Sequence, residues 1–391
     1  MYPILELKSG REKSLLKQHP WVFSGAVERL PDAQNGDMIQ IHNHQGKLMG
    51  YGFYSPQSQI TARIFEFTQQ PLILDKSYWM LKIQKSYQIR QAYVQKADTN
   101  AYRLLHAEGD FFPGVIIDIY QNCAVVQLLV KGTEKIYPQI TEALQNLGFE
   151  YIYLKTKDNS RFLEDLNLPG SWVDDRVPKQ VEILENGLNF YIDVEKGQKT
   201  GFFLDQRENR QLLRTYSFGK KILNTFSYTG GFSVYALAGG AKEVHSVDIS
   251  KEAIALGDEI IRKNFDSQAP HQSYTEDCFD FLKRSSADYD IIVLDPPAFA
   301  KNKKAIPNAS RGYISLNELG LRKLKPGGLL FTFSCSGSID RDLFRKIVFT
   351  AAAEVKRNIR ILHQLSQPLD HPINIYHPEG EYLKGLVLQI E

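Results

Sequence analysis

Cysteine is scarce in this chain. Its 391 residues hold three, Cys123, Cys278 and Cys335, with no Cys-x-x-Cys spacing among them. That excludes a zinc site built on paired cysteines and weighs against a disulfide framework; reduced thiols in a cytoplasmic protein fit better. Charge of one sign is lacking too. The 47 basic and 45 acidic residues leave a net charge of +2, which excludes a histone-like global excess but not a local basic groove. No run approaches the roughly 18 apolar residues that span a bilayer. In Met1-Tyr-Pro-Ile-Leu-Glu-Leu-Lys, charged residues stand where a signal peptide would need its apolar core. The Gly-x-Gly-x-x-Gly fingerprint of a pyrophosphate site is missing, as are internal repeats and low-complexity tracts. His42 and His44 read as surface strand residues, and nothing points to a metal.

What is present bounds the fold. Apolar residues make up 43% and charged residues 24%, enough to bury a core in a chain whose length suggests two or three domains. Residues 1–72 read as short strands (Met38-Ile-Gln-Ile-His, Lys47 to Tyr54, Gln59 to Phe67) broken by Asn35-Gly36 and Gln45-Gly46, the pattern of a small β-barrel. Residues 73–180 read as an α+β middle domain. Its opening helix, 73–96, carries apolar positions Leu74, Tyr78, Leu81, Ile89 and Tyr93 and a basic face of Lys82, Lys85, Arg90 and Lys96. A hairpin over 114–130, a helix over 137–147 and a strand from Tyr151 follow, with a boundary near Pro169-Gly170. From 181 to 391, apolar runs starting at Lys221, Val244, Asp290 and Leu329 alternate with amphipathic stretches, the signature of an α/β doubly wound, Rossmann-like parallel sheet.

Ligands of such a sheet bind beyond the carboxyl ends of its strands, so the residues after each strand carry the argument. After 221–224 comes Thr225-Phe-Ser-Tyr-Thr-Gly-Gly-Phe-Ser, whose Gly230 and Gly231 permit close backbone approach. A plain glycine turn is the bland alternative. The next strand ends in Asp248, placed for a ribose diol, followed by Ile249; Asp277 is positioned to accept from an adenine amino group, with Cys278 beside it. Without the phosphate fingerprint, an adenosyl ligand fits better than a dinucleotide. The fourth strand delivers Asp295-Pro296-Pro297, an irregular loop that holds a carboxylate at the strand tip. The fifth is followed by Cys335 between Ser334 and Ser336-Gly337, small polar neighbours that point to the mouth of a site; a lone cysteine elsewhere is more often core filler.

These segments, Asn224-Thr-Phe-Ser-Tyr-Thr-Gly-Gly-Phe-Ser, Asp295-Pro-Pro-Ala-Phe and Phe331-Thr-Phe-Ser-Cys-Ser-Gly, resemble the class I S-adenosylmethionine-dependent methyltransferases of the ribosomal RNA large-subunit cytosine-5 group. The resemblance extends along the chain. His19-Pro-Trp-Val-Phe-Ser-Gly is similar to that family's amino-terminal PUA domain. Tyr102-Arg-Leu and Gly109-Asp-Phe-Phe-Pro-Gly match its middle domain. Gly201-Phe-Phe-Leu-Asp-Gln-Arg-Glu-Asn-Arg and His377-Pro-Glu-Gly-Glu-Tyr-Leu-Lys-Gly also match its pattern. It implies S-adenosyl-L-methionine as cofactor, bound by Phe226, Tyr228, Thr229, Gly230, Gly231, Asp248, Ile249, Asp277, Cys278, Asp295 and Pro296. It further implies Cys335 as the nucleophile on a cytosine C6, Asp295 as its catalytic companion, and ribosomal RNA of the large subunit as partner, naked or in an assembly intermediate. A homodimer is left open.

Between Asp295 and Cys335 lies a basic stretch, Lys301, Lys303, Lys304, Arg311, Arg322, Lys323 and Lys325, with Phe299 and Tyr313 interleaved and Glu318 opposing. Its position beside the catalytic loop favours RNA over the commoner solvated helix face. The basic helix and Lys8, Arg11, Lys13 and Lys17 extend that track with equal weight given to a solvated surface. Two alternatives stand. A guanine-N methyltransferase of the same architecture needs no thiol, and a catalytically silent RNA-binding assembly protein needs neither Asp295 nor Cys335.

Overall fold

The computed structural model describes residues 2–94, 96–156, 166–178, 180–265, 269–286, 289–300 and 302–391. Contacts divide the chain into two units: residues 1–184 with 192–204 and 369–380, and residues 185–191 with 205–368 and 381–391. The stretches 192–204 and 369–380 therefore fold with the first unit, although they lie beyond the expected boundary at 181.

In the first unit, β1 (Ile4–Leu7), β2 (Trp21–Phe23), β3 (Val27–Arg29), β4 (Met38–His42), β5 (Leu48–Tyr54) and β6 (Ile60–Phe67) form one sheet in the order β2-β6-β5-β4-β1-β3. Leu5, Leu7, Val22, Ile39, Ile41 and Ile64 make its core. Tyr51, Phe53 and Phe65 leave its other face and join a second core around Trp79, so β5 is buried on both sides and shows no alternation. That second core also covers β7 (Ala101–His106), β8 (Val115–Tyr120), β9 (Cys123–Leu128) and β10 (Tyr151–Leu154), which with β11 (Ser171–Trp172) form a sheet ordered β11-β10-β9-β8-β7.

The helix expected over 73–96 runs Lys76–Tyr93, with Asp75 capping the Tyr78 amide. Its buried face is not the expected one. Leu81, Ile89 and Tyr93 are exposed, whereas Trp79, Ile83, Ser86 and Arg90 are buried. Arg90 turns inward because buried acceptors meet its guanidinium: the Arg103 and Asp370 carbonyls at 2.8 and 2.9 Å, and both Asp110 oxygens at 2.5 and 2.7 Å. Lys82 likewise donates to the Phe65 carbonyl and pairs with Glu66. Arg90 and Lys82 are therefore withdrawn from the basic track. A buried ion pair hydrogen-bonded on every side replaces apolar contacts that a hydrophobic pattern would have marked.

After β12 (Val181–Glu185) and β13 (Leu188–Ile192) the chain builds the second unit's sheet from β14 (Lys221–Thr225), β15 (Glu243–Asp248), β16 (His271–Thr275), β17 (Tyr289–Leu294), β18 (Leu324–Ser334), β19 (Ile359–Leu365) and β20 (Lys384–Ile390). The order is β16-β15-β14-β17-β18-β20-β19; the first five are parallel, and β20 runs antiparallel to both neighbours. From β14 the chain builds outward through β15 and β16, then crosses back to β17. The carboxyl ends of β14 and β17 thus flank the topological switch point, where such sheets bind ligands.

Candidate active site

The loop after β14 is strained and pinned. Phe226 and Tyr228, neither of them glycine, adopt left-handed backbone (φ 53° and 48°), as does Gly230 (φ 77°). Such residues persist only where their surroundings over-determine them. Here the Phe226 amide donates to the Cys278 sulfur at 3.1 Å, the Ser227 amide to the Val247 carbonyl at 3.0 Å, and the Tyr228 amide to Asp248 Oδ2 at 2.8 Å. The helix Gly231–Ala238 starts at once after Gly230. From beneath, the helix Lys251–Asn264 meets the loop at Gly257, where a Cβ would stand 3.2 Å from the Thr229 carbonyl carbon. Gly257 was absent from the sequence-based set; an isolated glycine inside a helical pattern was its signal. Thr229 and Gly230 are buried, and a Cβ on Gly230 would meet only ordinary contacts, Gly257 at 3.8 Å and Ser233 at 3.9 Å.

Asp248 ends β15 as expected and does more than await a ligand. Its two oxygens accept the Tyr228 and Ser250 amides at 2.8 and 2.9 Å, so it shapes the loop while keeping lone pairs for another donor. Ile249 beside it is 74% exposed. Strand β16 stops at Thr275, and Asp277 is the cap of the helix Cys278–Arg284, its Oδ1 accepting the Phe279 and Asp280 amides. Cys278 is buried, its thiol pushed up to about 12 by burial. It anchors the loop from below, with Val247 as its acceptor at 3.5 Å.

Asp295 stands one residue past β17 and Pro296 is buried. Its Oδ2 accepts from Gln206 Nε2 at 3.0 Å, and Gln206 Oε1 accepts from Asn209 at 2.6 Å. Asp205 Oδ2 takes the Tyr382 hydroxyl at 2.8 Å. The segment Asp205-Gln-Arg-Glu-Asn-Arg, which carried only a resemblance, is thus what orients the carboxylate; nothing in its local pattern could have named Asp295 as its target.

Strand β18 lies beside β17, with Leu294 opposite Thr332, so Cys335 and Asp295 leave adjacent strand ends. Strands in such a ladder run about 4.8 Å apart. Cys335 is partly exposed, whereas Cys123 and Cys278 are buried. The neighbouring serines differ from expectation: Ser334 and Ser336 are fully buried and lie beneath the mouth, not around it. Tyr313, expected on an RNA face, is buried with them. Its hydroxyl bridges Ser334 and Ser336, both at 3.1 Å, and Ser336 Oγ accepts the Ala300 amide at 3.3 Å. Neutral hydroxyls satisfy one another there, tying the Asp295 and Cys335 loops together. Opposite Ser334 on β20 is Lys384, only 2% exposed, with Nζ donating to the Ser336 and Tyr382 carbonyls at 2.7 Å each. In the sequence it stands out only as part of the segment from His377 to Gly385.

The basic stretch divides. Lys303 and Lys304 are exposed just before the helix Ile306–Arg322, and exposed Arg311 reaches Asn308. Arg322, Lys323 and Lys325 lie at that helix's far end and the start of β18, about 25 Å along the axis at 1.5 Å per residue. There Arg322 pairs with Glu318, Lys323 with the Ser285 carbonyl and Lys325 with Asp290. They sit at the sheet's opposite edge from Cys335 and form no continuous surface with Lys303 and Lys304. Lys301 lies outside the described residues.

A family described as S-adenosylmethionine-dependent methyltransferase matches residues 103–376, and a PUA-like domain family matches residues 5–67. Ribosomal RNA large subunit methyltransferase I of Klebsiella pneumoniae is 40% identical over 396 residues, covering 100% of this chain and 99% of that protein. Its namesake in Yersinia pseudotuberculosis is 40% identical over 392 residues, 99% of each chain. Among solved structures, a provisionally named SAM-dependent methyltransferase from Streptococcus mutans is 28% identical with a TM-score of 0.84 over 99% of both chains. A provisionally named methyltransferase complexed with SAH is 29% identical with a TM-score of 0.85 over 99% of both.

Proposed function

Because the chain belongs to the S-adenosylmethionine-dependent methyltransferases and carries a PUA-like domain, we propose that it methylates C5 of a cytosine in large-subunit ribosomal RNA, in the cytoplasm, with Cys335 as nucleophile. One observation carries the reading: the partly exposed Cys335 and the Gln206-oriented carboxylate of Asp295 stand on adjacent strand ends at the switch-point side of the sheet. The RNA is that for which the relatives in Klebsiella and Yersinia are named.

The residues present fit the cofactor. Asn224 Oδ1 and Ser227 Oγ are buried with no hydrogen-bond partner among the described residues, and Ile249 holds an apolar surface open beside Asp248. A ligand with a polar ribose and a flat apolar base satisfies both. Asp248 keeps acceptor capacity for the ribose, the loop 226–231 supplies the close approach, and Asp277 retains Oδ2 beyond its capping oxygen. S-adenosylmethionine supplies, when bound, an electrophilic methyl group. Asp248→Ala is expected to weaken cofactor binding by about 1–3 kcal/mol, the scale of hydrogen bonds to a charged acceptor. Calorimetry checks this; unchanged affinity would place the ribose elsewhere.

A pyrimidine C5 is a poor nucleophile. The Cys335 thiolate bonds to C6, and the ring electrons shift so that C5 becomes enamine-like and able to take a methyl group. Asp295, held by Gln206 and Asn209, engages the N3 and exocyclic amino edge, favouring protonation at N3 as the adduct forms. Loss of the C5 proton then expels the thiolate and restores the aromatic ring. The target base must be unstacked to enter.

Mapping methylated nucleotides in ribosomal RNA from cells with and without this protein tests the reading. Loss of one large-subunit 5-methylcytosine is expected; loss of a guanine methyl group instead assigns the guanine alternative, and loss of neither sinks both. For the RNA surface, we expect that neutralising Lys303 and Lys304 lowers the slope of log affinity against log salt by about 1–2, while neutralising Arg322, Lys323 and Lys325 leaves it unchanged. Filter binding across a salt series measures both, and the reverse pattern would move the RNA path to the opposite edge.

A further inference from the structure

A nucleophilic thiol needs a reason to ionise. We propose that Lys384 is a positioning residue for Cys335: its buried ammonium keeps the sulfur as a thiolate in the resting protein and holds the proton that the thiol gives up. This rests on the proposed nucleophilic role of Cys335.

The geometry is specific. Lys384 lies across the ladder from Ser334, the residue that immediately precedes Cys335, and its Nζ bonds the carbonyl of Ser336, the residue that follows it. The backbone of Lys384 is therefore registered with the residue before the thiol, and its ammonium is tied to the carbonyl of the residue after it. Lysine is almost never this buried unless it is paired. Its two acceptors are neutral carbonyls, which satisfy donors but do not balance a charge. The charged and titratable groups around it come from every neighbouring element. Cys335 on the β18 loop favours the ammonium most, followed by Glu381 before β20 and Asp340 at the start of the helix Arg341–Val355; Arg341 opposes it. Glu381 is already paired with Arg341. Tyr313, on the helix Ile306–Arg322, has its hydroxyl pushed up by burial and stays neutral. The sulfur is thus the anion that the buried cation lacks. Burial draws the lysine down to about 8, and the sulfur of Cys335 is the largest influence that holds the proton on nitrogen against it.

The proton balance is simple. Cys335 S–H and neutral Lys384 become thiolate and ammonium. The sulfur electron pair then forms the bond to C6 and returns to sulfur on elimination. Lys384 keeps its proton throughout, and the C5 proton leaves to another acceptor.

The test is the pH dependence of Cys335 alkylation by iodoacetamide in the full-length protein, from about pH 5.5 to 9.5, with the modified cysteine located by peptide mass. Cys123 and Cys278, whose thiols burial pushes up to about 12, serve as slow internal references. The wild-type midpoint is expected at least about one unit below the ordinary thiol value near 8.5. Lys384→Gln, which can donate but carries no charge, is expected to raise the midpoint by a unit or more, slowing alkylation about tenfold at pH 7. Lys384→Arg should stay within roughly threefold of wild type. A wild-type midpoint at or above the ordinary value, or a Lys384→Gln profile superimposed on wild type, overturns the proposal. Should Lys384→Gln fail to fold, judged by its thermal transition, the wild-type midpoint decides alone. The nucleophile reading fails separately, through methyl transfer that survives Cys335→Ala, because alkylation does not depend on turnover.

Discussion

Cys335→Ala is expected to abolish methyl transfer, by on the order of 10⁴-fold or more, while cofactor and RNA affinities stay within about twofold. The side chain is small and partly exposed, and the buried hydroxyls of Ser334, Ser336 and Tyr313 shape its loop without it. Removing the sulfur therefore removes a reacting atom, while Lys384 keeps its two carbonyl acceptors. RNA with 5-fluorocytidine at the target should trap the wild-type protein in an adduct that survives denaturation, since fluorine blocks the final elimination. Cys278→Ala should still trap, as that thiol is buried under the loop at 226–228. Methylation at normal rate by Cys335→Ala would end the covalent reading.

The second large effect concerns stability. Arg210 and Glu185 form a buried pair in which Nε and Nη2 donate to the carboxylate at 2.6 to 3.0 Å, and the Tyr235 hydroxyl adds a third donor at 2.9 Å. Glu185→Ala leaves the guanidinium buried without its charge partner, which costs about 3–5 kcal/mol. In a unit of this size that lowers the thermal midpoint by roughly 10 °C. The cofactor loop should loosen with it, because a Cβ on Gly231 would lie 3.2 Å from the Arg210 stem. Pairing the change with Arg210→Met should recover much of the loss, since two apolar side chains leave no charge stranded. Calorimetric melts of the two variants check this; a shift equivalent to less than about 1 kcal/mol for Glu185→Ala alone would mean that Arg210 is rescued by water or another acceptor.

Much of this was legible in the residues because it is local. A strand pattern ends, a loop follows, and in a parallel sheet the loop's address at the carboxyl edge comes from chain direction alone. Asp248, Asp295, Cys335 and the Gly230-Gly231 turn could be placed in that way, and the repeating strand and helix marked a doubly wound parallel sheet, though not its order or the antiparallel β20 within it. Expectations failed where a polar side chain is buried against a distant partner. Arg90 read as surface because nothing near it in the chain announces Asp110, Arg103 and Asp370 around it. Tyr313 read as an RNA contact although its hydroxyl holds the serines beside Cys335. The basic run read as one surface because sequence adjacency hides the length of the helix that separates its ends.

The amino-acid sequence by itself determined which chemical groups this protein brings to strand tips and the fold that collects those tips at one edge. Hydrophobic periodicity and turn residues act over a few neighbours, and they suffice for that. The tertiary structure alone decided which groups stand beside them: Gln206 on Asp295 from 89 residues away, Cys278 under Phe226, and Lys384 across the ladder from the residue before Cys335. Those contacts are made by ladder register and by the need of buried donors and charges for partners. That need can be met from anywhere in the chain and leaves no periodic trace in it.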